Sequence, residues 1–94
     1  MDRLVILFTM KGCPHCENLK EKLNEQNLEF FERDIHEHED EYNLFSEITE
    51  NEYVPAFMII ENSETNPKSY YFAPGNGFES LEEGVEIIKN KMLL

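Results

Sequence analysis

The sequence predicts one α/β domain over residues 1–94, with elements in the order β-α-β-α-β-β-α and four strands in a mixed sheet. Three observations carry this expectation. Apolar runs rich in branched and aromatic residues recur at residues 4–8, 28–35, 56–60 and 69–72. Stretches of helical spacing separate or follow them, and turn or capping residues mark the boundaries. Ninety-four residues are also enough to bury a modest core without disulfide or metal staples.

Each element has its own reason. Leu4-Val5-Ile6-Leu7-Phe8 is continuous and apolar, the pattern of a strand covered on both faces. Residues 9–12 form a loop. From Pro14 the period changes: Cys16, Leu19 and Leu23 recur at helical spacing, with Glu17, Lys20, Glu21 and Lys22 on the other side. Pro14 suits the first helical position, where its missing N–H is harmless. Residues 24–27 end that helix. Residues 28–35 form a second strand centred on Phe30 and Phe31. Residues 40–49 form a second helix, with Leu44, Phe45 and Ile48 as its apolar face. Val54-Pro55 breaks the chain before the buried strand at 56–60. Turn residues fill 61–68, so 69–72 is expected to return antiparallel. A Pro/Gly loop at 73–78 precedes the last helix, which Ser80 and Glu83 open as a capping box. Leu81, Val85, Ile88 and Met92 form its inner stripe. Helical connections imply parallel neighbours among the first three strands.

Charge narrows the function. Eight Lys and Arg stand against 20 Asp and Glu, a net charge of −12. Such a surface repels phosphate backbones, which argues against nucleic acid. Only Met1, Asp2 and Arg3 precede the first strand, and no apolar run approaches ~18 residues, so neither an export leader nor a membrane span is expected. A cytoplasmic monomer is the resulting expectation. Between residues 37 and 52 there are seven acids and no Lys or Arg, with Arg33 the one nearby cation.

The chemistry is expected at Cys13-Pro14-His15-Cys16. These are the chain's two cysteines, and in an unexported chain so short a spacing points to redox or metal chemistry. A thiolate is the reactive form, and unpaired N–H groups with the macrodipole stabilise it at a helix N-terminus. Cys13 falls at the predicted N-cap, exposed and acidic. Cys16 lies one turn on, more buried and within disulfide reach. Cys13 would attack a substrate disulfide and Cys16 would resolve the mixed disulfide. Pro14 stiffens the turn. His15 would stabilise the thiolate, giving a reduction potential above thioredoxin's, roughly −270 mV. Two other readings compete. One is an inert structural pair. The other is a zinc site using Cys13, Cys16, His36 and His38, although both histidines fall in an acidic stretch where solvation is expected. No metal is expected.

The Cys-Pro-His-Cys sequence after a buried strand, Val54-Pro55 opening a later strand, and a glycine-containing loop before the last helix resemble the glutaredoxin family. The resemblance covers nearly the whole chain in element order. It implies a thioredoxin-like, three-layer α/β/α fold of the glutaredoxin type. The absence of Trp argues against thioredoxin proper, and His15 stands where the family usually has Tyr. The resemblance implies a cis Pro55 beside the active site, with the Val54 backbone pairing with the substrate's cysteine segment. It also implies glutathione as co-substrate, its γ-glutamyl end held near Gly77, Phe78 and Glu79 and its glycyl carboxylate near Lys11. Asn76 stands where the family has a first glycine, and Lys11 is one position closer to Cys13 than usual. The function expected is glutathione-dependent reduction of protein disulfides or glutathione mixed disulfides. The alternatives are a thioredoxin-like electron donor, for instance to ribonucleotide reductase, and a non-catalytic zinc- or partner-binding module.

Overall fold

The first apolar run forms the middle of β1 (Asp2–Thr9), and its alternation separates two cores. In the computed structural model, which describes residues 2–62 and 67–92, β1 is followed by α1 (Pro14–Glu25), β2 (Phe31–Asp34), α2 (Glu39–Thr49), β3 (Ala56–Asn62), β4 (Lys68–Pro74), β5 (Gly77–Phe78) and α3 (Leu81–Met92). The middle of the turn expected at 61–68, residues 63–66, lies outside the described residues. The sheet order is β2-β1-β3-β4-β5. Among the described residues no helix is long and apolar enough to cross a membrane.

Val5 and Leu7 point to the face covered by α1 and α3, where they meet Leu19, Leu23, Phe57, Ile59, Val85 and Ile88. Phe8 points to the opposite face, against Tyr42 and Phe45 of α2. The β1–β3 register pairs Leu7 with Phe57 and Val5 with Ile59, so the two strands present one continuous apolar layer to α1 and α3. Leu7, Leu19, Leu23, Phe57, Ile59 and Ile88 are fully buried, and each such side chain contributes about 1.5–3 kcal/mol.

Four expectations need correction. The sheet has five strands rather than four: β5 is a two-residue strand parallel to β4, pairing Gly77 with Ala73 and Phe78 with Pro74. The return is tight enough that a Cβ on Gly77, at φ +127°, would lie 3.0 Å from the Phe72 Cα. β3 runs antiparallel to β1, so of the first three strands only β1 and β2 are parallel neighbours. β2 ends beside Thr9 and β3 begins beside Phe8, at the same end of the sheet. α2 and residues 50–55 therefore make an excursion out and back, not a crossover to the far end. β2 is half its expected length, because Leu28 belongs to the end of α1. The Leu28 N–H bonds the Leu23 carbonyl and the Asn27 N–H that of Asn24, with Asn27 left-handed at φ 57°. Finally, α2 buries Tyr42, Phe45 and Thr49, leaving Leu44 and Ile48 exposed. The aromatic contacts of Phe8 with Phe45 and Tyr42, at 4.9 and 5.6 Å, fix that rotation.

Candidate functional site

The cysteine pair sits where β1 gives way to α1. After Met10 the chain turns through Gly12 at φ +77°, a conformation suited to glycine, and the Cys13 N–H bonds the Met10 carbonyl at 3.3 Å. Cys13 is the N-cap, with Pro14 at the first helical position, as the sequence implied. Its Sγ accepts a hydrogen bond from the Cys16 N–H at 3.2 Å. That sulfur therefore lies among the unpaired donors of a helix start. Cys13 and Cys16 are joined in a disulfide, their Cα atoms 5.3 Å apart. Cys16 is fully buried. Cys13 is only 8% exposed, which corrects the expectation of an open thiol.

A cleft of about 450 Å³ opens beside His15, which stands between the two cysteines. One wall is Tyr53, Val54 and Pro55. The other is Pro74 with Phe78, Glu79, Ser80 and Leu81, and His15 closes the α1 side. The Val54–Pro55 bond is cis, as expected. Among the described residues no backbone hydrogen bond engages the Val54 N–H or C=O, so both are available to a substrate backbone. At α3, the Ser80 Oγ accepts the Glu83 N–H at 3.1 Å, giving the cap that Ser80 and Glu83 suggested.

The structure thus brings His15, Val54, Pro55, Phe78 and Glu79 to one cleft. Of the expected substrate-contact residues it leaves two out. Gly77 does not line the cleft and sits against Phe72. Lys11 lines a different groove, with Glu17, Lys20, Glu32, Asp34 and Glu37. There the Asp34 carboxyl is held below its usual range chiefly by the His36 N–H, with Lys11 a smaller contributor. In the same groove the Thr9 hydroxyl and Lys20 hold the Glu32 carboxyl low, at 2.7 and 3.0 Å. Arg33, the cation nearest to the acidic stretch in sequence, pairs with Glu41 at 3.6 Å. Among the described residues no three His, Cys, Asp or Glu side chains converge as metal ligands; His36 and His38 stand apart from the cysteines, beside Glu37, Glu39, Asp40 and Glu41.

Three residues of this site were not picked out from the sequence. Tyr53, 71% exposed, stands at the cleft mouth; its place before Val54-Pro55 was the available signal. Asn51 and Asn76 tie the two walls together. The Asn51 amide donates to the Pro74 carbonyl at 2.8 Å and its oxygen accepts the Tyr53 N–H at 2.9 Å. The Asn76 amide donates to the Thr49 carbonyl at 2.7 Å. The two bonds to carbonyls span 23 and 27 residues of sequence, and no local pattern announces them.

A comparison with protein-family models finds a match to one described as Glutaredoxin over residues 5–63, more than half of the chain and inclusive of the cysteine pair and Val54-Pro55. No curated protein matches the chain.

Proposed function

The chain belongs to the glutaredoxin family of thioredoxin-like fold, and from that premise we propose that it reduces protein disulfides and glutathione mixed disulfides, with glutathione regenerating it. The coarser activity, thiol–disulfide exchange through Cys13 and Cys16, follows from the family and the paired sulfurs. One observation carries the assignment of roles. The Cys13 Sγ takes the Cys16 N–H at the helix start, while Cys16 is fully buried behind it. Cys13 is then the attacking group and Cys16 the resolving one.

The cycle balances as follows. The Cys13 thiolate attacks one sulfur of a disulfide R–S–S–R′, forming a mixed disulfide and releasing R′ as a thiolate, which takes a proton. Cys16, giving up its proton, attacks the Cys13 Sγ; the internal disulfide forms and R leaves as a thiol. Two glutathiones then reduce the internal disulfide by the same two exchanges, ending as oxidised glutathione. Each turn moves two electrons from two glutathiones to the substrate. His15 at the cleft and the amides of the first turn favour the thiolate at each departure. The free Val54 backbone supports pairing with the extended segment around the substrate cysteine. Such a cycle belongs in a reducing compartment, the cytoplasm that the sequence favours.

The test is turnover of a glutathionylated small thiol. Cys13→Ser abolishes it, whereas Cys16→Ser keeps part of the deglutathionylation and loses protein-disulfide reduction. Full activity in Cys13→Ser refutes the roles. A second reading, electron supply by a dedicated reductase with little use of glutathione, has support in the cleft lining, which contains no Lys or Arg. Reduction of the internal disulfide by a thioredoxin reductase and not by glutathione would establish it instead.

A further inference from the structure

The proposed reaction requires a cleft beside the disulfide; it does not require that cleft to be acidic. Yet the two wall segments, residues 50–55 and 74–83, carry Glu50, Glu52, Glu79, Glu82 and Glu83 and no Lys or Arg. Glu79 lines the cleft itself. Glu52 directly precedes Tyr53 and bears on the Tyr42 hydroxyl, which burial first and this charge second push upward. Among the described residues, Glu82 is the one of these five with a basic partner, Lys22 at 3.4 Å. Lys11 lies in the other groove, among four acids and Lys20.

Two of the donors at the start of α3 that would offset acidic walls in an anion site are engaged. The Glu83 N–H at the start of α3 is taken by the Ser80 hydroxyl, and the Glu82 carboxylate is held low first by its own backbone N–H and then by Lys22. The helix start thus carries its own anion. Apart from His15, Ser80 and Glu79 the lining, Tyr53, Val54, Pro55, Pro74, Phe78 and Leu81, is apolar or aromatic. Tyr53, exposed at the mouth, offers a ring face to a cation.

We infer that this cleft selects disulfides carried on cationic protein segments, with Lys or Arg beside the reacting cysteine, and that Glu52, Glu79 and Tyr53 are its specificity determinants. The inference rests on the proposed disulfide reduction and names its substrate class. The reaction is the one above: the dithiol passes two electrons to the peptide disulfide, its own disulfide forms, and two peptide thiols are released. Glutathione, an anion, enters the same cleft against the field.

The experiment uses pre-reduced full-length protein in single turnover, with two synthetic disulfide-linked peptides that differ only in Lys or Glu flanking the half-cystine. The expected second-order rate constant is about tenfold higher for the Lys peptide at low salt. The ratio shrinks as salt rises from ~0.1 M to ~1 M, where the screening length falls from about 10 Å to about 3 Å. In Glu52→Gln with Glu79→Gln the Lys peptide slows and the Glu peptide speeds up, a reciprocal change that misfolding does not produce. A control pair outside the cleft lining, Glu39→Gln with Asp40→Asn, beside His36 and His38, leaves most of the ratio in place. Equal rates for the two peptides overturn the inference and leave disulfide reduction standing. A ratio that falls equally in the control pair overturns it too, because the preference then belongs to the net charge. No reduction of either peptide overturns the functional reading itself.

Discussion

Replacing Asn76 or Asn51 by Ala is expected to open the substrate cleft while leaving the sulfur chemistry intact. The Asn76 side chain makes one bond, to the Thr49 carbonyl at 2.7 Å, and the Asn51 side chain makes two, to the Pro74 carbonyl and from the Tyr53 N–H. All but the last are part-buried. A hydrogen bond of this kind nets about 1 kcal/mol, and a carbonyl left buried without a partner costs about 1–3 kcal/mol. Asn76→Ala should therefore destabilise by about 1–2 kcal/mol and Asn51→Ala by about 2 kcal/mol, or roughly 4–8 °C in Tm per kcal/mol for a domain of this size. The bonds join the same two segments, so losing either loosens the other, and the double variant should fall short of the sum by ~0.5 kcal/mol or more. Urea denaturation of the oxidised proteins measures all three quantities. The functional readout is a split. KM for a peptide disulfide rises severalfold, because the Tyr53–Pro55 wall is no longer held against Pro74; the alkylation rate of reduced Cys13 does not change, because that sulfur is held by α1. Asn51→Asp separates the bonds, keeping an acceptor for Tyr53 and losing the donor to Pro74. Strict additivity with an unchanged KM would refute the clamp.

Three further outcomes follow from the geometry. Alkylation of reduced Cys13 should titrate below the ordinary thiol value of about 8.5, since the Cys16 N–H and the helix start favour the anion; a midpoint at that value removes the basis for its role as nucleophile. Gly77→Ala should destabilise by about 1–3 kcal/mol, because a left-handed alanine there is strained and its methyl meets Phe72; a Tm equal to the parent's refutes this. The Glu32 carboxyl is held below its usual 4.5 by Thr9 first and Lys20 second, so the unfolded chain binds the proton more readily. Its stabilisation is present above pH 4.5 and lost as pH falls through the lower folded value. With the side chain 41% exposed, the loss is under ~1 kcal/mol. Urea midpoints against pH should flatten on the acid side in Glu32→Gln, and an unaltered acid limb contradicts the assignment.

What the sequence disclosed depends on how far the cause lies along the chain. Cys13 as N-cap, Pro14 behind it and Ser80 opening α3 are decided within four residues, and all three are where the pattern put them. The strand pairing of residues 69–72 beside 56–60 is nearly as local. The orientation of β3 is not, because alternation and turn residues are the same whether a helix carries the chain across the sheet or returns it to the end it left. The apolar face of α2 failed for a similar reason. Leu44 and Ile48 satisfy helical spacing as well as Tyr42 and Thr49 do, and only the Phe8 ring, more than thirty residues upstream, chooses between them.

At the site the same distinction separates chemistry from recognition. The sulfurs are three residues apart and answer to one helix start, so their roles were readable from Cys-Pro-His-Cys. The cleft is assembled from segments about 40 and 65 residues downstream, and there the family pattern misplaced what it borrowed. Lys11 does not face the cleft, because the turn through Gly12 delivers it to the groove where Asp34 and Glu37 provide its countercharge. Asn76, which read as a departure from a glycine, is instead a donor that no glycine could replace, bonding the last carbonyl of α2. Because thiol activation sits on α1 and the walls sit on loops it does not touch through those bonds, substrate preference can shift in this fold without disturbing the attacking sulfur.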